Sequence, residues 1–127
     1  MPYSSVHILR MKHIIAATCG LLMACSTASA ADFADKDGIW WELIMPAPYW
    51  SQRPPLAEIK VIYIPRPATA QWCEQATGKP EQFGCMDFRG KYCVVVITDD
   101  MPEPFRIAVL EHEVAHCRGW PGTHPLD

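Results

Sequence analysis

The sequence has no excess of positive charge, no hydrophobic run long enough to cross a membrane and no closely spaced cysteine pair. Lys and Arg total 11 of 127 residues against 14 Asp and Glu, a formal net charge of −3. A phosphate backbone is bound through a strong basic excess, so nucleic acid is not an expected partner. The longest apolar run, 14–24, is about a dozen residues, whereas a spanning helix needs about 20. No membrane span is expected. The absence of Cys-x-x-Cys argues against a four-cysteine zinc site. There is no internal repeat, and biased composition is confined to PAPYWSQRPP at 46–55. The length allows one small domain and excludes two.

What is present begins with a targeting segment. Arg10, Lys12 and His13 precede the apolar run, and the small tripeptide Ala28-Ser29-Ala30 follows it. Basic, apolar and small residues in that order predict a secretory signal peptide over 1–30, with Met11 as an alternative start. Leu22-Met23-Ala24-Cys25 resembles a lipobox, so the alternative to soluble export is a lipoprotein anchored through Cys25. Either route places the chain in the periplasm or outside the cell.

The expected mature domain, 31–127, has 97 residues, 9 basic and 14 acidic, for a net charge of −5. It retains Cys73, Cys85, Cys93 and Cys117. A domain this small buries a modest fraction of its surface, and export places it where disulfides persist, so two disulfides are expected.

Residues 31–38 are polar and read as a frayed end. Ile39–Met45 (IWWELIM) and Ile59–Ile64 (IKVIYI) are β-branched and aromatic, each stopped by a proline, and read as strands. The proline-rich segment between them reads as a rigid surface loop. Pro67 in front and Gly78 behind predict a short helix over 67–77. Residues 79–91, with Gly84 and Gly90, read as a loop. Tyr92–Ile97 (YCVVVI) is the most apolar strand, expected at the middle of the sheet or beneath the last helix. Phe105–Cys117 runs without a breaker to Gly119 and predicts that helix. The fold class is therefore α+β: about three strands, a backing helix and a helix near the end of the chain.

That last helix carries His112-Glu113-Val114-Ala115-His116, an H-E-x-x-H pattern. Histidines four apart lie one turn above each other on one helix face, so both imidazoles can meet one metal ion. Outside the leader the chain has three histidines, His112, His116 and His124, within one thirteen-residue stretch. Ile107, Leu110, Val114 and Cys117 also follow helical spacing and are expected to face the core, leaving the histidine face for a cleft. Gly119 suits the left-handed turn that ends a helix, and Pro121 and Gly122 can bend His124 back toward the metal. The third ligand is then His124 or Asp127, and a neutral imidazole on a shaped turn is the better zinc donor.

These residues resemble the zincin metallopeptidases, in particular the metzincin-type string H-E-x-x-H-x-x-G-x-x-H, at His112, Glu113, His116 and Gly119. The string's third histidine position is Gly122 here, and the next histidine is His124. GWPGTHP at 119–125 also resembles the corresponding segment of small exported bacterial proteins carrying H-E-x-x-H. The resemblance implies a zincin-like minimal fold holding Zn2+ and hydrolysing a peptide or protein substrate. Zinc would lower the pKa of its water from about 15.7 to near 7, and Glu113 would act as general base. Tyr63, Tyr92 and Arg118 are candidates for stabilising the oxyanion. Trp120 either walls a substrate pocket or packs over the helix end.

The disulfide pairing follows from lengths. Strand 92–97 and helix 105–117 each span about 20 Å, so a helix folded back over the strand brings Cys117 to Cys93. Cys73 then pairs with Cys85. A non-catalytic periplasmic zinc-binding accessory or interaction protein, stapled by the same disulfides, is the alternative function; it has no need of Glu113.

Overall fold

Extended, β-branched segments and two breaker-bounded helices give the architecture seen in the computed structural model, which describes residues 6–8 and 27–125. The apolar run of the expected leader, its Cys25 and Asp127 lie outside the described residues. The strands are β1 (Val6–Ile8), β2 (Ser29–Ala34), β3 (Trp40–Met45), β4 (Glu58–Ile64), β5 (Gly84–Arg89) and β6 (Tyr92–Thr98). The helices are α1 (Arg66–Thr77) and α2 (Glu103–Cys117), and a short 3-10 helix covers Pro48–Gln52. The chain is α+β, with two small sheets and two α-helices.

The first sheet has the order β1-β3-β2, all antiparallel, with Ala31 opposite Leu43. The second has the order β4-β6-β5. There β4 and β6 are parallel, with Val61 opposite Val95, and β5 and β6 form an antiparallel hairpin, with Gly84 opposite Ile97. As its continuous apolar sequence predicted, β6 is the central strand. Proline and glycine bound α1 as expected: Pro67 sits in its first turn, and Gly78, at φ +78°, donates its N–H to the Glu74 carbonyl.

Three expectations are corrected. Residues 31–34 are not frayed but continue β2, because this polar, small-residue segment pairs with β3 along its whole length. Pairing supplies what its weak β-propensity does not. Residues 84–89 are strand β5 and not loop. The two glycines that suggested a loop do other work: Gly90, at φ +57°, starts the two-residue turn joining β5 to β6, and Gly84 lets the strand approach α2. Those two strands turn the expected single sheet of about three strands into two sheets.

Helix α2 packs against β5 and β6 of one sheet and β3 of the other. The main core contains Leu43 from the first sheet, Met86, Val95 and Ile97 from the second, and Phe105, Ala108 and Val109 from α2. Phe83 bridges the layers: its ring is 4.9 Å from both Trp41 and Phe105, and the Arg66 guanidinium lies 3.4 Å above it. Both disulfides join as their lengths predicted, Cys73–Cys85 and Cys93–Cys117. The second ties the end of α2 to the start of β6.

This packing corrects the expected orientation of α2 in part: Cys117 lies in the core and Leu110 and Val114 pack against its edge as expected, but the histidine face is buried as well. Phe105, Ala108, Val109, His112 and His116 are buried, whereas Ile107 is 44% exposed and Leu110 and Val114 are only partly covered. The histidine face is thus the inner face and not a cleft. Covering on two sides by two sheets, unforeseen when only one was expected, leaves the opposite aliphatic stripe as the outer flank.

Gly84 tests the fit of α2 on its sheet. A Cβ there would lie 2.6 Å from Val109 Cγ1 and 3.0 Å from the Val96 carbonyl oxygen, which is backbone and cannot rotate away. Gly84→Ala is expected to destabilise the fold by about 1–3 kcal/mol in denaturant titration. Replacing both Cys93 and Cys117 by serine opens a link across 24 residues. The expected loss is about 3–4 kcal/mol, read as a lowered denaturation midpoint.

Candidate metal centre

Helix periodicity puts His112 and His116 one turn apart, and the end of the helix delivers the third imidazole. The N–H groups of Arg118, Gly119 and Trp120 close the last turn onto the carbonyls of Val114, Ala115 and His116, with Gly119 at φ +103° as its sequence position predicted. The chain then bends at Pro121, whose carbonyl accepts the His124 N–H at 3.0 Å. His124 itself stands at φ +52°, in the left-handed region. A β-carbon is disfavoured there, and such residues persist where their surroundings over-determine them.

The three Nε2 atoms meet. His112 and His116 are 3.3 Å apart, His112 and His124 3.1 Å, and His116 and His124 3.0 Å. A metal bound by imidazole nitrogens at about 2.0–2.1 Å with tetrahedral angles spaces its donors by roughly 3.3 Å. Among the described residues, these three form the one group of His, Cys, Asp or Glu whose ligand atoms all lie within 4.8 Å of one another. His112 is fully buried, His116 is 2% exposed and His124 6%.

Protonation bears on what the cluster can hold. Nδ1 of His112 lies 2.5 Å from the Ile44 carbonyl oxygen, and Nδ1 of His116 lies 2.7 Å from that of Trp120. A carbonyl oxygen can only accept, so each Nδ1 carries the proton and donates it. In the neutral rings both Nε2 atoms then present lone pairs to each other across 3.3 Å. Two lone pairs facing at that distance repel, and the rings can be charged only at the cost of burying like charges. A cation held among the three Nε2 atoms relieves that repulsion, as does a proton on His124 Nε2, which lies 3.1 Å from His112 Nε2 and 3.0 Å from His116 Nε2. The same two carbonyls do for these two imidazoles what outer-shell acceptors commonly do for metal-bound histidine: they set the tautomer and hold the ring plane.

Of the other residues singled out from the sequence, Glu113 is fully buried on α2 next to His112. Cys117 is committed to its disulfide and is not a metal ligand. Tyr63 is half exposed on β4, with Arg106 over its ring. Lys60 and Lys91 flank the Tyr92 ring, and Arg118 donates to the Arg53 carbonyl. Trp120 is buried, packed with Ala28 and Ala115 and stacked on His116 at 4.7 Å. On the outer flank of α2, a groove of about 510 Å³ is lined by Met45, Pro46, Pro48, Leu110, Val114 and Arg118, among others. Ala115, which packs against Trp120, also lines it.

Sequence reasoning did not find the roles of Ile44 and the Trp120 carbonyl. Both act through backbone oxygens, which every residue type has, so no side-chain pattern marks them.

Comparison of the chain with protein-family models, with curated proteins and with solved structures finds no match.

Removing one donor from a three-donor site should weaken it steeply. His124→Ala is expected to lower zinc affinity by at least about 100-fold, measured by competition with a chromophoric chelator. Unchanged affinity would mean that His124 does not ligate the ion.

Proposed function

We propose that the protein is an exported zinc-dependent metallopeptidase, with His112, His116 and His124 as metal ligands and Glu113 as general base. The observation that carries the reading is a buried triangle of three imidazole nitrogens whose ligand atoms all lie within 4.8 Å of one another. Structural zinc sites close their coordination with four protein ligands, whereas catalytic sites use three and leave a position for water or substrate. The donor set fits zinc, which accepts three nitrogens in tetrahedral geometry, although the same nitrogens also bind other borderline metals. The resemblance to the zincin string at His112, Glu113, His116 and Gly119 supports the same reading. Export is supported by two disulfides, and among the described residues no helix is long and apolar enough to cross a membrane.

Zinc supplies Lewis acidity, lowering the pKa of water from about 15.7 to near 7 and polarising a carbonyl. The chain's own residues do the rest. The Ile44 and Trp120 carbonyls keep the His112 and His116 protons on Nδ1, so that Nε2 stays available to the ion. The Glu113 carboxylate takes a proton from the attacking water as the new C–O bond forms. It passes that proton to the amine nitrogen as the C–N bond breaks.

A second reading, a zinc-binding accessory or interaction protein that cuts no bond, is favoured by one observation: all four residues are buried. A hydrolase therefore needs the turn carrying His124, or the segment that follows β3, to move and admit substrate.

Glu113→Gln separates the two. For a peptidase, the variant should keep one zinc per chain while hydrolysis of an unstructured peptide falls by about 10²–10⁴-fold. If the zinc-loaded wild type and the variant are equally inert toward peptides, the accessory reading replaces the catalytic one.

A further inference from the structure

Trp120 has one polar atom, the indole Nε1, which can donate a hydrogen bond and cannot accept one. Nε1 is buried without a hydrogen-bond partner among the described residues, and the whole residue is 1% exposed. Leaving a buried donor without an acceptor is costly. Buried tryptophans ordinarily find an acceptor, so the exception calls for a missing one.

The surroundings of the ring indicate where that acceptor belongs. The indole lies 4.7 Å from the His116 ring, 5.0 Å from His124 and 5.1 Å from His112, measured between ring centroids. It therefore borders all three imidazoles. It is stacked on His116 at 14° and stands edge-to-face to the other two. None of the three imidazoles accepts its N–H. The same residue's carbonyl holds the His116 ring, so the position of the indole is tied to the position of a ligand. If apolar packing against Ala28 and Ala115 were its whole role, phenylalanine would serve without stranding a donor.

We propose that the Trp120 indole N–H donates a hydrogen bond to an oxygen atom of the ligand bound at the three-histidine centre. For a peptide substrate, that atom is the scissile carbonyl oxygen. Trp120 then supplies the oxyanion stabilisation for which Tyr63, Tyr92 and Arg118 were the candidates in the sequence. A preorganised donor in a water-poor site is worth more as charge develops on that oxygen than it is toward the ground-state carbonyl. The inference rests on the metal-centre reading.

The test uses the protein loaded with cobalt(II) in place of zinc, so that visible absorption reports on the metal site. Acetate is the oxygen ligand; imidazole is a ligand that offers the indole no acceptor once bound to the metal. In Trp120→Phe, cobalt affinity and imidazole affinity should stay within about twofold of wild type, and acetate affinity should fall by about 10- to 100-fold, the loss of one hydrogen bond to a charged acceptor. Should Trp120→Phe fail to fold, 3-benzothienylalanine at position 120 replaces the N–H with sulfur in a ring of nearly the same shape and carries the same comparison. Equal acetate affinity in wild type and variant overturns the proposal, as does a parallel loss of acetate and imidazole, which is the mark of a packing role. A wild-type centre that takes cobalt but not acetate overturns it too. A wild type that takes no metal at all refutes the metal-centre reading itself.

Discussion

Two backbone carbonyls, Ile44 O and Trp120 O, decide what the histidine cluster can be. By accepting from Nδ1 of His112 and His116 they commit both rings to one tautomer and aim two lone pairs at the same point. His124 completes the triangle from a left-handed backbone position that a non-glycine residue adopts at some cost. Burial sharpens the effect, because in a low-dielectric setting neither facing lone pairs nor several imidazolium charges can be relieved by water. The geometry is one that could hold a cation.

The fold is arranged around delivering those carbonyls. Ile44 belongs to β3 in the first sheet, whereas the backing of α2 comes from β5 and β6 in the second. The helix must therefore be held between both sheets for His112 to reach its acceptor. Gly84 allows the close approach on one side, and Leu43, Phe83 and Phe105 fill the space between the layers. The Cys93–Cys117 disulfide fixes the end of α2 one residue beyond His116, limiting how far the turn bearing Trp120 and His124 can drift. In so small a domain, a covalent tie supplies order that a larger core would otherwise provide.

A site built this way is preorganised for a metal and closed to solvent. That combination gives closely spaced donors, and for the proposed peptidase it makes access the feature on which turnover would depend. The turn from Gly119 to Pro125, which is neither strand nor helix and carries Trp120 and His124, is the natural place for opening. The groove along the outer flank of α2 reaches the site's neighbourhood through Ala115.

Much of this was legible in the residues alone. The i, i+4 spacing of His112 and His116, the nearness of His124, the glycine at 119 and the lengths separating Cys73, Cys85, Cys93 and Cys117 determined the histidine cluster and both disulfides, because each depends on local geometry or short chain lengths. β3, β4, β6 and both helices were readable for the same reason: their periodicity or composition is strong within one segment. The strands β2 and β5 were not, since a weak former such as SAADFA becomes a strand through its partner, and Gly84 serves contact with a helix distant in sequence. Only the tertiary structure decided that the histidine face of α2 points inward, because a helix with two amphipathic stripes can bury either, and the choice is made by which sheets cover it. It also decided the tautomers, since the acceptors are backbone oxygens that long-range packing brings within reach and that no sequence pattern records.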